Sequence, residues 1–191
     1  MTDYTSSMEQ LPNVDVWMIH RDLARAPRYT LPAGYRMRGY RDGDVATWVR
    51  IQQAAETFFV PTAQTFADSM PGDTDYLAAR VLFLVDPAGE DIGTITAWND
   101  AEFDGQDMGR IHWVAMVPAA QGRSLAKPML SAALDALRAR GYNAAWLWTG
   151  TGRIAALNLY LSFGFLPHPR DDAEREAWRA VAPELRYPLI F

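Results

Sequence analysis

The sequence predicts an α/β fold built on a mixed β-sheet, and three patterns carry that expectation. Three strand-like runs, RVLFLVD, DIGTITAWND and GRIHWVAMV, follow one another between residues 80 and 117 with turn formers between them. From Leu125 the apolar period becomes that of a helix, and a second apolar strand and second helix then complete two strand–helix units. With 191 residues, 49% of them apolar and 21% charged, the chain is long enough to bury roughly 70% of its unfolded surface.

Residues 1–13 are polar and unpatterned, and VDVWMIH then sets Val14, Val16 and Met18 against Asp15 and Trp17, as a strand does. Residues 1–34 therefore read as an N-terminal extension with an added strand, ahead of a domain at 35–191. YRMRGY (35–40) alternates again, and RDGD supplies turn residues and an N-cap for a helix over 45–57. FFVPTAQTFADSM breaks at Pro61 and continues as a short helix, whereas PGDTDY reads as a loop. The three strands follow, joined by PAGE and AEFDGQD. In the next helix Leu130, Leu134 and Leu137 recur at i, i+4 and i+7, Arg138 and Arg140 occupy the last turn, and Gly141 supplies the stop. AAWLWT is a short apolar strand, and RIAALNLYLSF, apolar round most of its circumference, predicts a largely buried helix ending at Gly164. RDDAEREAW reads as a charged surface segment, and ELRYPLIF as a closing strand in which Pro188 avoids a ladder donor position.

Composition narrows the function. A formal charge of −5, with Lys and Arg scattered, argues against nucleic acid as a partner. No apolar run approaches the ~20 residues of a membrane span, and MTDYTSSMEQ lacks a signal peptide's charged start and apolar core, so no membrane partner and a cytoplasmic location are expected. Without cysteine there is no disulfide, thiol nucleophile or thiolate metal site. His20, His112 and His168 lack ligand spacing, so no metal is expected.

The chemistry centres on PAAQGRSLAK, residues 118–127, which leads from a strand into the long helix. A helix N-terminus presents unpaired backbone N–H groups and about half a positive charge, so a tight small-residue loop there can hold a phosphate. Gly122, Ser124 and Ala126 are the small residues, interleaved with Arg123 and Leu125. Ser124 is expected to keep an ordinary helical φ and to serve as an N-cap. Neither G-x-x-x-x-G-K-[ST] nor G-x-G-x-x-G is present, which disfavours a P-loop hydrolase or a Rossmann domain. Alone, the loop is equally well a plain turn.

Its surroundings decide between these. Gln121-Gly122-Arg123-Ser124-Leu125-Ala126 matches [RQ]-x-x-G-x-[GA] apart from a serine for one glycine, just after Met116-Val117-Pro118. Ala156-Leu157-Asn158-Leu159-Tyr160 with Gly164-Phe165 matches A-[IL]-x-L-Y-x-x-x-G-F. In both blocks the sequence resembles the GNAT family of acyl-CoA N-acyltransferases, over about residues 35–191.

That resemblance implies a sheet splayed between the strands at 109–117 and 144–149, with acetyl-CoA as co-substrate and its pantetheine in the gap. The pyrophosphate would meet the loop from Gln121 through Gly122, Arg123, Ser124, Leu125 and Ala126 to Lys127, and the pantetheine and thioester the backbone of Val114, Ala115 and Met116. Tyr160 occupies the position of the general acid, the alternative being a tyrosine packed in an apolar helix. Relatives often carry a strand glutamate as base; here Trp148 stands in one such place, leaving His112 as candidate base or core histidine, with Glu102 and Asp104 acting through water as the weaker choice. Arg153, where many relatives have Asn, would reach a CoA phosphate or simply start a helix. Phe58, Phe59, Trp98, Trp113 and Trp148 offer an aromatic wall to the acceptor, or core packing.

The function implied is acyl transfer from acetyl-CoA, or another short acyl-CoA, to a primary amine of a small molecule or peptide in a ternary complex. The rival is a non-catalytic acyl-CoA-binding or regulatory module of the same fold. A homodimer is left open.

Overall fold

The computed structural model describes residues 13–99 and 103–189. They form two compact units, one spanning 20–147 and one combining the chain up to Ile19 with the chain from Trp148 onward.

In the larger unit β2 (Arg36–Gly39), β3 (Val81–Val85), β4 (Asp91–Asn99) and β5 (Gly109–Met116) form an antiparallel meander, as the three consecutive strand patterns predict. β6 (Ala145–Gly150) begins in this unit and joins β5 in parallel, which makes the sheet mixed. α1 (Val45–Ala55), α2 (Ala63–Ser69) and α3 (Thr74–Ala78) lie between β2 and β3 in sequence. Their core is aromatic: Trp48 of α1 meets Phe66 of α2 edge-on at 5.2 Å, and both cluster with Ile51, Phe83 and Trp98. PGDTDY is more ordered than its composition suggests, because the Asp73 side chain accepts from Tyr76 N and starts α3.

α4 (Ala126–Ala139) buries Met129, Leu130, Leu134 and Leu137 completely, the face its leucine spacing predicts. Its fit on the sheet is tight at Gly109, where a Cβ would lie 2.7 Å from Leu137 Cδ2. The helix stops at Gly141, whose φ of 89° suits glycine, and Tyr142 N returns to Leu137 O.

Arg38 ties β2 to its neighbours. Its guanidinium binds Asp91 through Nε (2.8 Å) and Nη2 (2.6 Å), and Asp44 through Nη1 (2.6 Å) and Nη2 (3.0 Å), with the Phe83 ring 4.4 Å away. Burial disfavours the cation, but the bonds to Asp91 and Asp44 outweigh it and raise the Arg38 pKa. This occupation explains why Asp44, at the N-cap position of α1, makes no side-chain cap: its carboxylate serves Arg38 and Arg41 N instead.

In the smaller unit β1 (Asp15–His20), all but its last residue, lies between the end of β6 and β7 (Leu166–Pro167). Met18 and Ile19 pair with Pro167 and Leu166, Thr151 N donates to Val14 O at 2.9 Å, and Val14 N to Thr151 Oγ1 at 2.9 Å. The strand that VDVWMIH predicts is thus formed, and it is internal to its unit. ELRYPLIF forms no strand over 185–189; Arg186 N is held instead by Asn158 Oδ1 at 2.7 Å, and residues 190–191 lie outside the described residues.

α5 (Ile154–Ser162) is less buried than its composition implies, with only Leu157, Tyr160 and Leu161 fully enclosed. RDDAEREAW is not merely a surface segment but opens α6 (Asp172–Val181), which buries Glu174, Trp178 and Val181 at i, i+4 and i+7. Asp171 Oδ1 accepts from Glu174 N at 2.8 Å and caps the helix, and the Glu174 carboxylate accepts from Arg170 N, one residue before the cap, at 2.9 Å. Among the described residues no helix is long and apolar enough to cross a membrane.

Removing Arg38 strands two carboxylates that are each largely buried. Arg38→Ala is expected to cost about 3–5 kcal/mol of stability, measured by urea unfolding, whereas breaking the exposed Arg179–Glu176 pair should cost under about 1 kcal/mol.

Candidate active site

The site is assembled around β5 and the loop that follows it. On one side β5 is fully engaged: Val117 N donates to Ile92 O at 2.9 Å, and Ala115 pairs with Thr94 and Met116 with Gly93. Backbone groups alternate along a strand, so those of Ala115 face β4 with Val117, and those of Met116 face the opposite edge. On that edge the ladder with β6 consists of Gly109↔Ala145 and Arg110↔Trp146, and β5 runs on to Met116 beyond it. Of the three residues expected to meet a pantetheine, Met116 therefore presents its backbone there. Its carbonyl already accepts from Gln121 Nε2 at 3.0 Å.

Val114 follows a β-bulge. Thr94 pairs with Ala115 and Thr96 with His112, so two steps on β4 face three on β5. The surplus falls at Trp113, whose φ of 49° is left-handed, an uncommon conformation for a bulky side chain. Trp113 is held edge-on to Trp48 at 5.0 Å and to Phe59 at 6.0 Å, and its carbonyl accepts from Gln52 Nε2 at 3.0 Å.

Beyond one short 3-10 turn, Pro118–Ala120, the loop reaches Gly122 at φ 74° and Ser124 at φ 60°, and α4 begins at Ala126. Left-handed residues thus flank Arg123 at a helix start, and alternation of that kind can gather successive N–H groups into an anion-binding concavity. The loop is pinned at its ends by Gln121 and by the buried Leu125, while Gly122, Arg123 and Ser124 are exposed. A Cβ on Gly122 would meet nothing within 4 Å, so glycine is needed there for its φ. Two expectations for Ser124 are corrected. Its φ is left-handed, not helical, and the N-cap is Leu125, with no side-chain cap bond. Pro128 falls in the first turn of α4, where its missing N–H costs little.

A cleft of about 520 Å³ adjoins the loop, lined by Arg28, Tyr29, Thr30 and Pro32 together with Ser124, Lys127 and Pro128. Lys127 Nζ lies 5.0 Å from the Tyr29 ring centroid, and Tyr29 N donates to Ser131 Oγ at 3.0 Å. The sequence reading missed Arg28–Thr30, because only the adjacent basic and aromatic side chains of Arg28 and Tyr29 mark an otherwise unpatterned stretch.

His112 is half-buried on β5, its ring 5.4 Å from that of Trp113. Desolvation, and secondarily the Arg110 cation, hold its pKa well below the usual 6.5, so the imidazole is neutral at physiological pH. Tyr160 belongs to the smaller unit and is buried in α5, with the Phe165 ring 6.0 Å away. Burial raises its phenol above the usual 10 against an opposing effect from Arg153, which precedes α5 in the same unit, and the hydroxyl keeps its proton. Of the five aromatic residues, Phe59 lies edge-on to Trp113 at 6.0 Å and Trp98 packs edge-on against Tyr76 at 5.5 Å, while in the smaller unit Trp148 stacks on Trp17 at 6.5 Å. Glu102 lies outside the described residues. Among the described residues no group of three His, Asp or Glu could hold a metal ion.

A mixed sheet flanked by helices, with a helix starting just after its fifth strand, defines an α/β fold, and comparison with known proteins makes it specific. The model of the Acetyltransferase (GNAT) family matches residues 32–165, and the chain belongs to that family. It is 31% identical over 166 residues to a mycothiol acetyltransferase of Nocardia farcinica, covering 80% of this chain and 53% of the relative. It is also 31% identical over 144 residues to one of Renibacterium salmoninarum, covering 73% and 43%. The chain thus spans about half the length of the curated relatives it matches. In fold it is similar to a GCN5-related N-acetyltransferase from Sphaerobacter thermophilus, with a TM-score of 0.65 and 21% identity over 84% of this chain and 51% of the other. The ribosomal-protein-S18-alanine N-acetyltransferase of Escherichia coli has a TM-score of 0.55 and 22% identity over 68% and 76%.

Ser124 occupies a conformation that costs a side-chain-bearing residue about 1–2 kcal/mol and glycine almost nothing. Ser124→Gly is expected to stabilise the protein by about 0.5–1 kcal/mol, after the greater freedom of glycine in the unfolded chain is counted, as read by urea unfolding.

Proposed function

We propose that this chain transfers an acetyl or other short acyl group from acetyl-CoA to a primary amine of a small molecule or peptide, by direct attack in a ternary complex. The observation that carries this reading is the run Gly122–Lys127, where two left-handed residues, Gly122 and Ser124, lie at the start of α4. It directly follows a strand with one edge beyond its ladder. Relatives named mycothiol acetyltransferases support a small-molecule acceptor, and the net charge of −5 suits an amine that arrives as a cation.

Acetyl-CoA supplies the acyl group as a thioester. Backbone donors of the loop hold the pyrophosphate, and Lys127 and Arg153 contribute charge. The N–H groups of Val114 and Met116 receive the thioester oxygen as it becomes an oxyanion. Held neutral, the His112 imidazole can accept a proton but binds it weakly. An amine that arrives as a cation first loses one proton to solvent, which frees the lone pair that attacks, and His112 takes the second proton once the forming N–C bond has made it acidic. When the C–S bond breaks, the Tyr160 hydroxyl gives its proton to sulfur and is reprotonated from solvent. Its raised pKa makes transfer to a thiolate of pKa about 8.5 uphill, so proton transfer accompanies C–S cleavage and does not follow it.

A thiol-release assay across an amine panel, paired with calorimetry of acetyl-CoA binding, tests the reading. Turnover supports it, binding without turnover supports the non-catalytic module, and absence of binding removes both. Tyr160→Phe is expected to lower kcat by ~10²-fold with acetyl-CoA affinity nearly unchanged; an unaltered kcat removes the tyrosine from the mechanism. Because His112 is neutral until well below pH 6.5, the acid limb of kcat/KM that it causes should lie well below 6.5 and disappear in His112→Ala. A limb retained in that variant moves the base elsewhere.

A further inference from the structure

We propose that Gln52 is a positioning residue which, by gripping the Trp113 carbonyl, aims the Val114 N–H at the reacting oxygen; this rests on the reaction proposed above. Gln52 is a buried polar residue on the inner face of α1, next to Ile51 and one turn after Trp48. Its Nε2 donates to Trp113 O at 3.0 Å, across 61 positions of sequence.

The bond falls where β5 departs from its ladder. Between Thr94 and Thr96 the register slips, and Trp113 takes up the surplus at φ 49°. At such a bulge the extra residue is left out of the ladder, so a buried carbonyl there needs a donor from elsewhere. The Trp113 ring is fixed by Trp48 and Phe59, but a fixed ring does not prevent the peptide plane beyond it from turning over. Gln52 acts on that plane. The Trp113 C=O and the Val114 N–H belong to one planar, trans peptide unit and point in opposite directions. Holding the oxygen toward α1 therefore turns the N–H away from α1. A hydrogen bond accepted by the carbonyl also polarises the amide and makes its N–H a stronger donor. An amide that steadies an oxyanion acts mainly in the transition state, so losing its aim should reduce kcat and spare ground-state binding.

The experiment compares Gln52→Met, similar in length but without a donor, with Gln52→Glu. In the latter the ionised carboxylate cannot donate, whereas the protonated acid, favoured by burial, can. For Gln52→Met, kcat is expected to fall ~10- to 100-fold while acetyl-CoA affinity stays within about threefold and the Val114 amide resonance shifts in 1H–15N spectra. For Gln52→Glu, kcat relative to wild type should recover as pH is lowered, a response that a merely structural role would not give. Retention of kcat within about twofold in Gln52→Met overturns the proposal, as does a kcat loss matched by the loss of affinity with the Val114 resonance unmoved. If Gln52→Met does not fold, the pH response of Gln52→Glu decides, and its absence overturns the proposal. A wild-type protein that turns over no amine refutes the reaction itself, and the Val114 resonance then decides separately whether Gln52 sets the peptide plane.

Discussion

Everything in the larger unit is arranged around the backbone hydrogen bonds of β5. A strand can donate and accept on two edges, and buried backbone groups must be satisfied somewhere. β5 gives one edge to β4 for most of its length and only its first two residues to β6. Two of its carbonyls are met by side chains from elsewhere: Gln52 donates to that of Trp113 and Gln121 to that of Met116. These two amides satisfy two acceptors where the strand departs from its ladder. Gln121 also fastens the start of the Gly122–Lys127 loop to the end of the strand, so the geometry of the loop and that of the strand are set together.

The same constraint governs the loop. Leu125 is drawn into the core and Gln121 is tied to β5, so the residues between them must turn sharply. Two left-handed residues, Gly122 and Ser124, make that turn on the exposed side of the loop. Glycine accepts this conformation without strain and serine does not. Serine at position 124 therefore takes up the turn at a cost to the stability of the chain that carries it.

What could be read in the sequence was whatever repeats at short range. The meander from β3 to β5 and the leucine face of α4 were legible because period two and period 3.6 are local signals. α6 was hidden because its inner face is made by Glu174, Trp178 and Val181, and a buried glutamate satisfied by Arg170 does not look like core. ELRYPLIF alternates acceptably as a strand, but over 185–189 none forms and Arg186 N is held by Asn158 Oδ1, a partner 28 positions away that no local pattern can reveal. In the site, the Gly122–Lys127 loop was visible as a run of small residues. The handedness of Ser124, the bulge at Trp113 and the role of Gln52 each depend on partners distant in sequence. A single polar residue beside Trp48 and Ile51 on the inner stripe of α1 was the only local trace of that bond.

The placement of β1 also bears on how the molecule is made. Val14 bonds to Thr151 across 137 positions of sequence, and Met18 and Ile19 pair with Pro167 and Leu166. The meander, by contrast, joins strands that are neighbours along the chain. Closing so long a loop carries an entropic penalty before any contact offsets it, so local hairpins form early and non-local pairings late. During synthesis from the N-terminus, residues 14–19 emerge long before the strand and helix they pair with, and must wait as an apolar segment without their ladder. The smaller unit is therefore the last part of the chain to close, and its first strand is the stretch most exposed to mispairing until then.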